Sequence, residues 1–186
     1  MVHSQQADNQ QNYEIIWRLK RFVFLLLVAG MVVFTDQMCK ALMLAHLSPV
    51  YPVKVIDGFF SLTLVLNSGV AFGIFSRLAA SWKITVLLFF SVITVFLLLW
   101  YYFSDAGLSR MMTLALCLVI GGAIGNIIDR FRFGKVVDFL DFYWRSYHWP
   151  AFNLADSAIT IGVVLMLISS FSQRKDRHVS DSFPMG

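Results

Sequence analysis

Two aspartates stand in short motifs at the margins of apolar segments: Asp138 in Val136-Val137-Asp138-Phe139, and Asp156 in Phe152-Asn153-Leu154-Ala155-Asp156. The second motif runs straight into an apolar stretch, residues 158–171. Hydrocarbon cannot replace a carboxylate's hydration, so an aspartate at the mouth of a membrane span is costly and points to a role. Two carboxylates held together in a water-poor pocket cannot both ionise. One keeps a proton near neutral pH while the other stays charged, which places an acid beside a base. Such a pair can take a proton from water as it attacks an amide carbon, hydrogen-bond the carbonyl oxygen and help protonate the leaving amine. Neither a metal nor another cofactor is required.

Other chemistries fit less well. Ser68 and Ser157 lie in motifs, but no histidine accompanies them there. Metal hydrolysis needs a ligand pattern such as H-E-x-x-H, which is absent. His148 could still join the carboxylates in a site, as the only histidine in the outer loops after the second span.

Hydropathy sets the elements that must position these groups. Of 186 residues, 58% are hydrophobic and only 14% charged, with a mean hydropathy of +0.70. That balance is an integral membrane protein's, in one domain without a linker. The net charge of +4 is small and owes much to basic clusters at the chain ends, Arg18, Lys20, Arg21 and Arg174, Lys175, Arg177. These suit anionic lipid better than nucleic acid. Cys39 and Cys117 lie in apolar surroundings without metal-type spacing and read as small buried hydrophobes, with no disulfide expected.

Four spans are expected at about residues 22–44, 84–103, 111–128 and 155–171, between polar tails at 1–13 and 174–186 that are expected to be disordered. The first apolar run reaches crossing length only if its helix continues through Asp36 and Lys40. Its basic start resembles a signal peptide, but no A-x-A-like site precedes Asp36, so it reads as an uncleaved first helix. An even number of spans puts both termini on one side, and the basic end clusters make that side cytoplasmic. The outer loops also carry Lys54, Arg77, Lys83, Arg130, Arg132, Lys135 and Arg145, several of them near Asp57, Asp129, Asp138 or Asp141. Residues 53–64 mix β-branched and aromatic residues in partial alternation and read as a small sheet at the membrane surface. Residues 139–149, crowded with Phe142, Tyr143, Trp144, Tyr147 and Trp149, read as an interfacial helix or loop. The fold class is thus a mainly α membrane protein with four transmembrane helices, a small extracytoplasmic β-sheet and an outer interfacial helix or loop.

With this topology Asp36 lies about 21 Å above Phe22 along the first helix. Asp36, Asn126, Asp129, Arg130, Asp138, Asn153 and Asp156 then all collect at one depth near the outer face. Each also has a plainer explanation. Asp36 and Lys40 can be a mutually neutralised i, i+4 pair. Asp129 and Arg130 can be an ion pair holding the outer loop. Asn153 or Asp156 can cap the fourth helix. Asp141 looks solvent-facing and Asp138 does not. Gly121 and Gly125 form a G-x-x-x-G that more often marks close helix packing than a site.

At these residues the chain resembles the lipoprotein signal peptidases (signal peptidase II), aspartyl enzymes of the bacterial inner membrane. The resemblance runs through Asp36-Gln37-Met38-Cys39-Lys40, Asn67-Ser68-Gly69-Val70-Ala71-Phe72, Gly121-Gly122-Ala123-Ile124-Gly125-Asn126-Ile127-Ile128-Asp129-Arg130, the Asp138 motif and the Asp156 motif, over roughly residues 20–172. It implies that the substrate is a diacylglyceryl-modified prolipoprotein, cut on the amino side of the lipidated cysteine. It implies that Asp138 and Asp156 are catalytic, and that Asn67, Gly69, Asn126, Asp129, Arg130 and Asn153 support them or contact substrate. It also implies a multi-pass inner-membrane protein, taken as a monomer among membrane phospholipid, with its site near the periplasmic face and open to the cyclic peptide globomycin. Asp36 and Lys40 are taken as structural. Cys39 departs from the small hydroxyl residue more usual in the family, which bears on a hydrogen bond near Lys40. The 139–149 segment and the Asn67 loop are then candidates for a lid and a cradle.

A different class, a small proton-coupled transporter, would use the same carboxylates as a relay. It predicts acids along a path through the membrane, whereas the inner halves of spans two to four contain none.

Overall fold

The computed structural model describes the backbone of residues 2–69 and 80–181. Among the described residues eight elements follow one another: α1 (Val2–His46), β1 (Val53–Ile56), β2 (Phe60–Asn67), α2 (Ala80–Ser104), α3 (Arg110–Phe133), β3 (Val136–Trp144), β4 (Tyr147–His148) and α4 (Leu154–Asp181). Each of the four helices contains a stretch long and apolar enough to cross a bilayer, bounded by Tyr13–His46, Ile84–Ser104, Arg110–Phe133 and Leu154–Ser172. Residues 2–13 and 174–181, expected as disordered tails, carry on the helices α1 and α4. Propagating a helix costs little once apolar turns have nucleated it. Arg77 and the Val70-Ala71-Phe72 part of the Asn67 motif lie outside the described residues.

α3 is the hub, packed against α1, α2 and α4. Ser109 caps its start by accepting the Met112 N–H at 3.1 Å, and Ser109 Oγ meets Ser169 Oγ of α4 at 2.8 Å. Gly134, in the left-handed region at φ 66°, ends it by donating to the Arg130 carbonyl. The glycine pair of α3 marks close packing: a β-carbon at Gly121 would lie 2.9 Å from the Ala29 carbonyl oxygen, and one at Gly125 only 2.7 Å from Asp36 Oδ2. Leu25, Ala29, Tyr102, Met112, Leu116, Cys117 and Ile120 form the apolar core, and both cysteines are free thiols. Outward faces such as Phe89, Phe90, Phe96 and Trp100 of α2 are exposed, as lipid-facing surfaces require.

The sheet runs β1-β2-β3-β4, antiparallel throughout. Strand structure at 53–64 agrees with expectation. Residues 139–149 do not form the expected interfacial helix or loop. They complete β3 and turn through Arg145 (φ 58°) into β4. The β-branched and aromatic run Val136–Trp144 finds a partner in β2, and pairing satisfies backbone groups that an isolated interfacial loop would leave to water. The β2–β3 register sets Val65 against Asp138 and Asn67 against Val136. That register carries Asn67 to the start of β3.

Candidate active site

Asp138 enters the site from β3 and Asp156 from the first turn of α4. Asn153 lies between them. Its side-chain Nδ2 donates to Asp138 Oδ1 at 2.8 Å, while its Oδ1 accepts the Asp156 N–H at 2.9 Å and its backbone N–H donates to Asp156 Oδ2 at 3.3 Å. The last two bonds are the reciprocal pattern of a capping box, with an amide in place of the usual hydroxyl. Helix capping and contact with both carboxylates are therefore one arrangement.

The remaining carboxylate oxygens are also served by amides. Asn67 Nδ2 donates to Asp138 Oδ2 at 2.9 Å, and the Asn67 side-chain oxygen is held by the Gly69 N–H at 2.8 Å. Asn126 Nδ2 donates to Asp156 Oδ1 at 2.7 Å. Its own oxygen accepts from Lys40 Nζ and from Asn153 Nδ2, both at 3.2 Å. Asp138 is fully buried and Asp156 half-buried. Burial pushes the Asp138 carboxyl up from its ordinary 3.8 to about 6; the Asn67 hydrogen bond opposes the rise, the Asp156 charge adds to it, and Asn153 and Lys40 oppose it. A carboxyl in that range can hold or release a proton near neutral pH.

Beneath the carboxylates lies a buried ionic knot. Lys40 Nζ is 2.8 Å from Asp36 Oδ2 and 2.8 Å from Asp129 Oδ2. Asp36 Oδ1 accepts the Ala155 N–H at 3.0 Å, and Asp129 Oδ2 accepts the Val137 N–H at 3.0 Å. The plainer readings of these residues are thus incomplete. Asp36 and Lys40 are more than a neutralised pair, since Asp36 also holds the start of α4 and Lys40 also binds Asp129 and Asn126 of α3. Asp129 takes Lys40 rather than Arg130 as its cation, and fixes the start of β3. Arg130 donates to the Asn126 carbonyl at 3.3 Å and interacts electrostatically with Asp156, Asp129 and Asp138.

All seven polar residues expected at one depth do meet here. Gln37, which its motif alone does not single out, belongs with them: its Nε2 donates to Asp129 Oδ1 at 2.8 Å and to the Gly125 carbonyl at 3.2 Å. The available signal was an amide inside an apolar span, costly unless partnered. Asp141 is not solvent-facing. It is buried, accepting from Ser61 Oγ at 2.9 Å and lying 3.0 Å from His148 Nδ1, because the β2–β3 register sets it opposite Ser61. His148 accordingly serves Asp141 and does not join the carboxylate pair. Among the described residues, no three His, Cys, Asp or Glu side chains converge as a metal ion would need.

Asp156 opens onto a groove of about 790 Å³ whose walls include Tyr147, Trp149, Phe152, Thr160 and Ile161. The groove is apolar and aromatic, with the carboxylate at one wall.

A family model described as Signal peptidase (SPase) II matches residues 28–172. Curated relatives include a lipoprotein signal peptidase of Desulforapulum autotrophicum, 45% identical over 80% of this chain and 91% of its own. Another, from Syntrophotalea carbinolica, is 42% identical over 83% of this chain and 94% of its own. A bacterial membrane enzyme solved by the in meso method at 2.3 Å resolution superposes with a TM-score of 0.72 at 34% identity, over 82% of this chain and 90% of that one. A second such structure, at 1.9 Å, gives 0.70 at 36% identity over 78% and 91%.

Proposed function

This chain belongs to the signal peptidase II family of multi-pass bacterial membrane peptidases that cleave signal peptides from prolipoproteins, and we propose that it does so as an aspartyl endopeptidase with Asp138 and Asp156 as its catalytic pair. The observation that carries this reading is Asn153, which hydrogen-bonds Asp138 with its side chain and Asp156 with its backbone. It draws a sheet residue and a helix residue, both carboxylates, into one network.

In the proposed reaction the ionised carboxylate takes a proton from water as the water oxygen bonds to the amide carbon. The protonated carboxyl donates to the carbonyl oxygen, where negative charge develops. Collapse breaks the C–N bond, and the amine leaves with a proton from the pair. Asn67, Asn126 and Asn153 orient the carboxylates so that little reorganisation is needed at the moment of reaction. Arg130 contributes positive charge nearby.

The substrate is a prolipoprotein carrying diacylglycerol on its cysteine, cut on the amino side of that residue. The aromatic groove at Asp156 supports this, since a lipid-anchored peptide can lie in it while its acyl chains stay in the bilayer. Globomycin would occupy the same groove. The basic clusters at both chain ends favour cytoplasmic termini, which puts the carboxylates near the periplasmic face.

The test is cleavage of a diacylglyceryl-modified prolipoprotein by purified protein in lipid-supplemented detergent, comparing wild type with Asp138→Asn and Asp156→Asn. Cutting by wild type and loss in both folded variants is the expected result. Full activity in either variant would remove that residue from the pair.

A further inference from the structure

Far from the carboxylates, at the other end of α1, a second cavity opens. Arg21 lies about 22 Å along the helix from Asp36. Here α1, the α2–α3 turn and the start of α3 line an open cavity of about 400 Å³, with Trp17, Lys20, Arg21, Phe24, Arg110 and Thr113 among the lining residues. Arg21 is only 8% exposed. Its Nη1 donates to the carbonyls of Tyr102 at 2.7 Å and Asp105 at 2.6 Å, and its Nη2 to Thr113 Oγ1 at 3.4 Å. The guanidinium sits 4.7 Å from the centre of the Trp17 ring and 4.8 Å from that of Tyr102.

All of these partners are neutral, so they orient the Arg21 charge without cancelling it. Lys20 and Arg110 add two further cations, and among the described residues no carboxylate lines the cavity. Asp105, the nearest acid in sequence, turns its Oδ1 to the Gly107 N–H at 2.8 Å. Glu14 lines the neighbouring groove together with Arg18. Three cations about one cavity at a membrane surface leave an electrostatic demand that no described residue lining it meets.

An apolar track leads away from it. Phe24, Leu27 and Met31 follow Lys20 along α1 at helical-turn spacing, exposed by 39%, 66% and 63%. Trp17 stands at the level where indoles favour the headgroup region. A diffusible phosphate would need the cations and leave this track unused.

We propose that this cavity is a binding site for an anionic glycerophospholipid of the adjoining leaflet, its phosphate held by Lys20, Arg21 and Arg110 and its acyl chain laid along Phe24, Leu27 and Met31. Occupancy is separate from the peptidase chemistry and can be read without it. The test is native mass spectrometry of the intact protein released from detergent after titration with palmitoyl-oleoyl phosphatidylglycerol, with phosphatidylcholine of the same chains, or with inorganic phosphate. Phosphatidylglycerol is retained over phosphatidylcholine, and Lys20→Gln and Arg110→Gln each weaken its binding about fivefold, the double variant more. Both side chains are exposed, so the melting temperature in lipid-free detergent stays unchanged. Equal retention of the two lipids, or undiminished phosphatidylglycerol binding by the double variant, would overturn the site. Displacement of the lipid by equimolar inorganic phosphate would reassign it to a diffusible anion.

Discussion

The side-chain amide of Asn153 donates to Asp138 at 2.8 Å from the capping position of α4, the helix whose first turn carries Asp156. One residue therefore sets both the direction of that helix and the approach of one carboxylate to the other.

Replacing Asn153 by Ala should separate these two effects. Loss of the cap costs about 1 kcal/mol of stability. Loss of an orienting donor in a water-poor site is expected to lower kcat by about 10²-fold. Asn153→Ser, which restores a capping oxygen but not the amide donor, should recover the melting temperature and leave kcat low. Recovery of both would make Asn153 a cap only.

The carboxyl of Asp138 binds its proton more tightly in the folded protein than its ordinary 3.8, at about 6. Between those values the folded state holds more protons than the unfolded state, so stability falls as pH rises from about 4 to about 6 and then levels off. Asp138→Asn should lack that component and be the more stable protein at pH 8. Thermal melts of both from pH 4 to 8 check the sign. Asn67→Ala removes a hydrogen bond that favours the ionised form, so it should move the acid limb of the kcat/KM profile to higher pH.

Lys40 joins Asp36, Asp129 and Asn126, all buried. Lys40→Met leaves two buried carboxylates without their cation and should cost about 3–5 kcal/mol. Activity should fall as well, since the Asn126 oxygen loses one of its two holders. Lys40→Met with Asp129→Asn should regain part of the stability, measurable by denaturant unfolding as a coupling between the two sites.

Trp149 walls the groove beside Asp156, and its backbone N–H donates to the Phe142 carbonyl at 2.8 Å. Trp149→Ala removes apolar area that a bound chain would cover, without touching the carboxylates. KM for lipidated substrate should rise by about tenfold or more, in line with about 1.5–3 kcal/mol for burying a large apolar side chain. Steady-state kinetics showing a fall in kcat alone would contradict that role.

The sequence by itself determined the membrane character, the four helices and the identity of the residues gathered at one depth. Those follow from hydropathy and helix rise, which are local and additive along the chain. It also carried the family, because the motifs around Asp36, Asn67, Asn126, Asp138 and Asp156 could be read in order. Only the tertiary structure decided who bonds to whom. That Asp129 takes Lys40 rather than its neighbour Arg130, and that Asp141 is buried against Ser61 and His148, depend on α1 packing on α3 and on β2 pairing with β3. The 139–149 segment forms strands rather than an interfacial helix or loop for the same reason: aromatic residues suit a membrane interface and a paired strand equally well. A strand's partner is a long-range fact, fixed when unpaired backbone groups find each other across the fold.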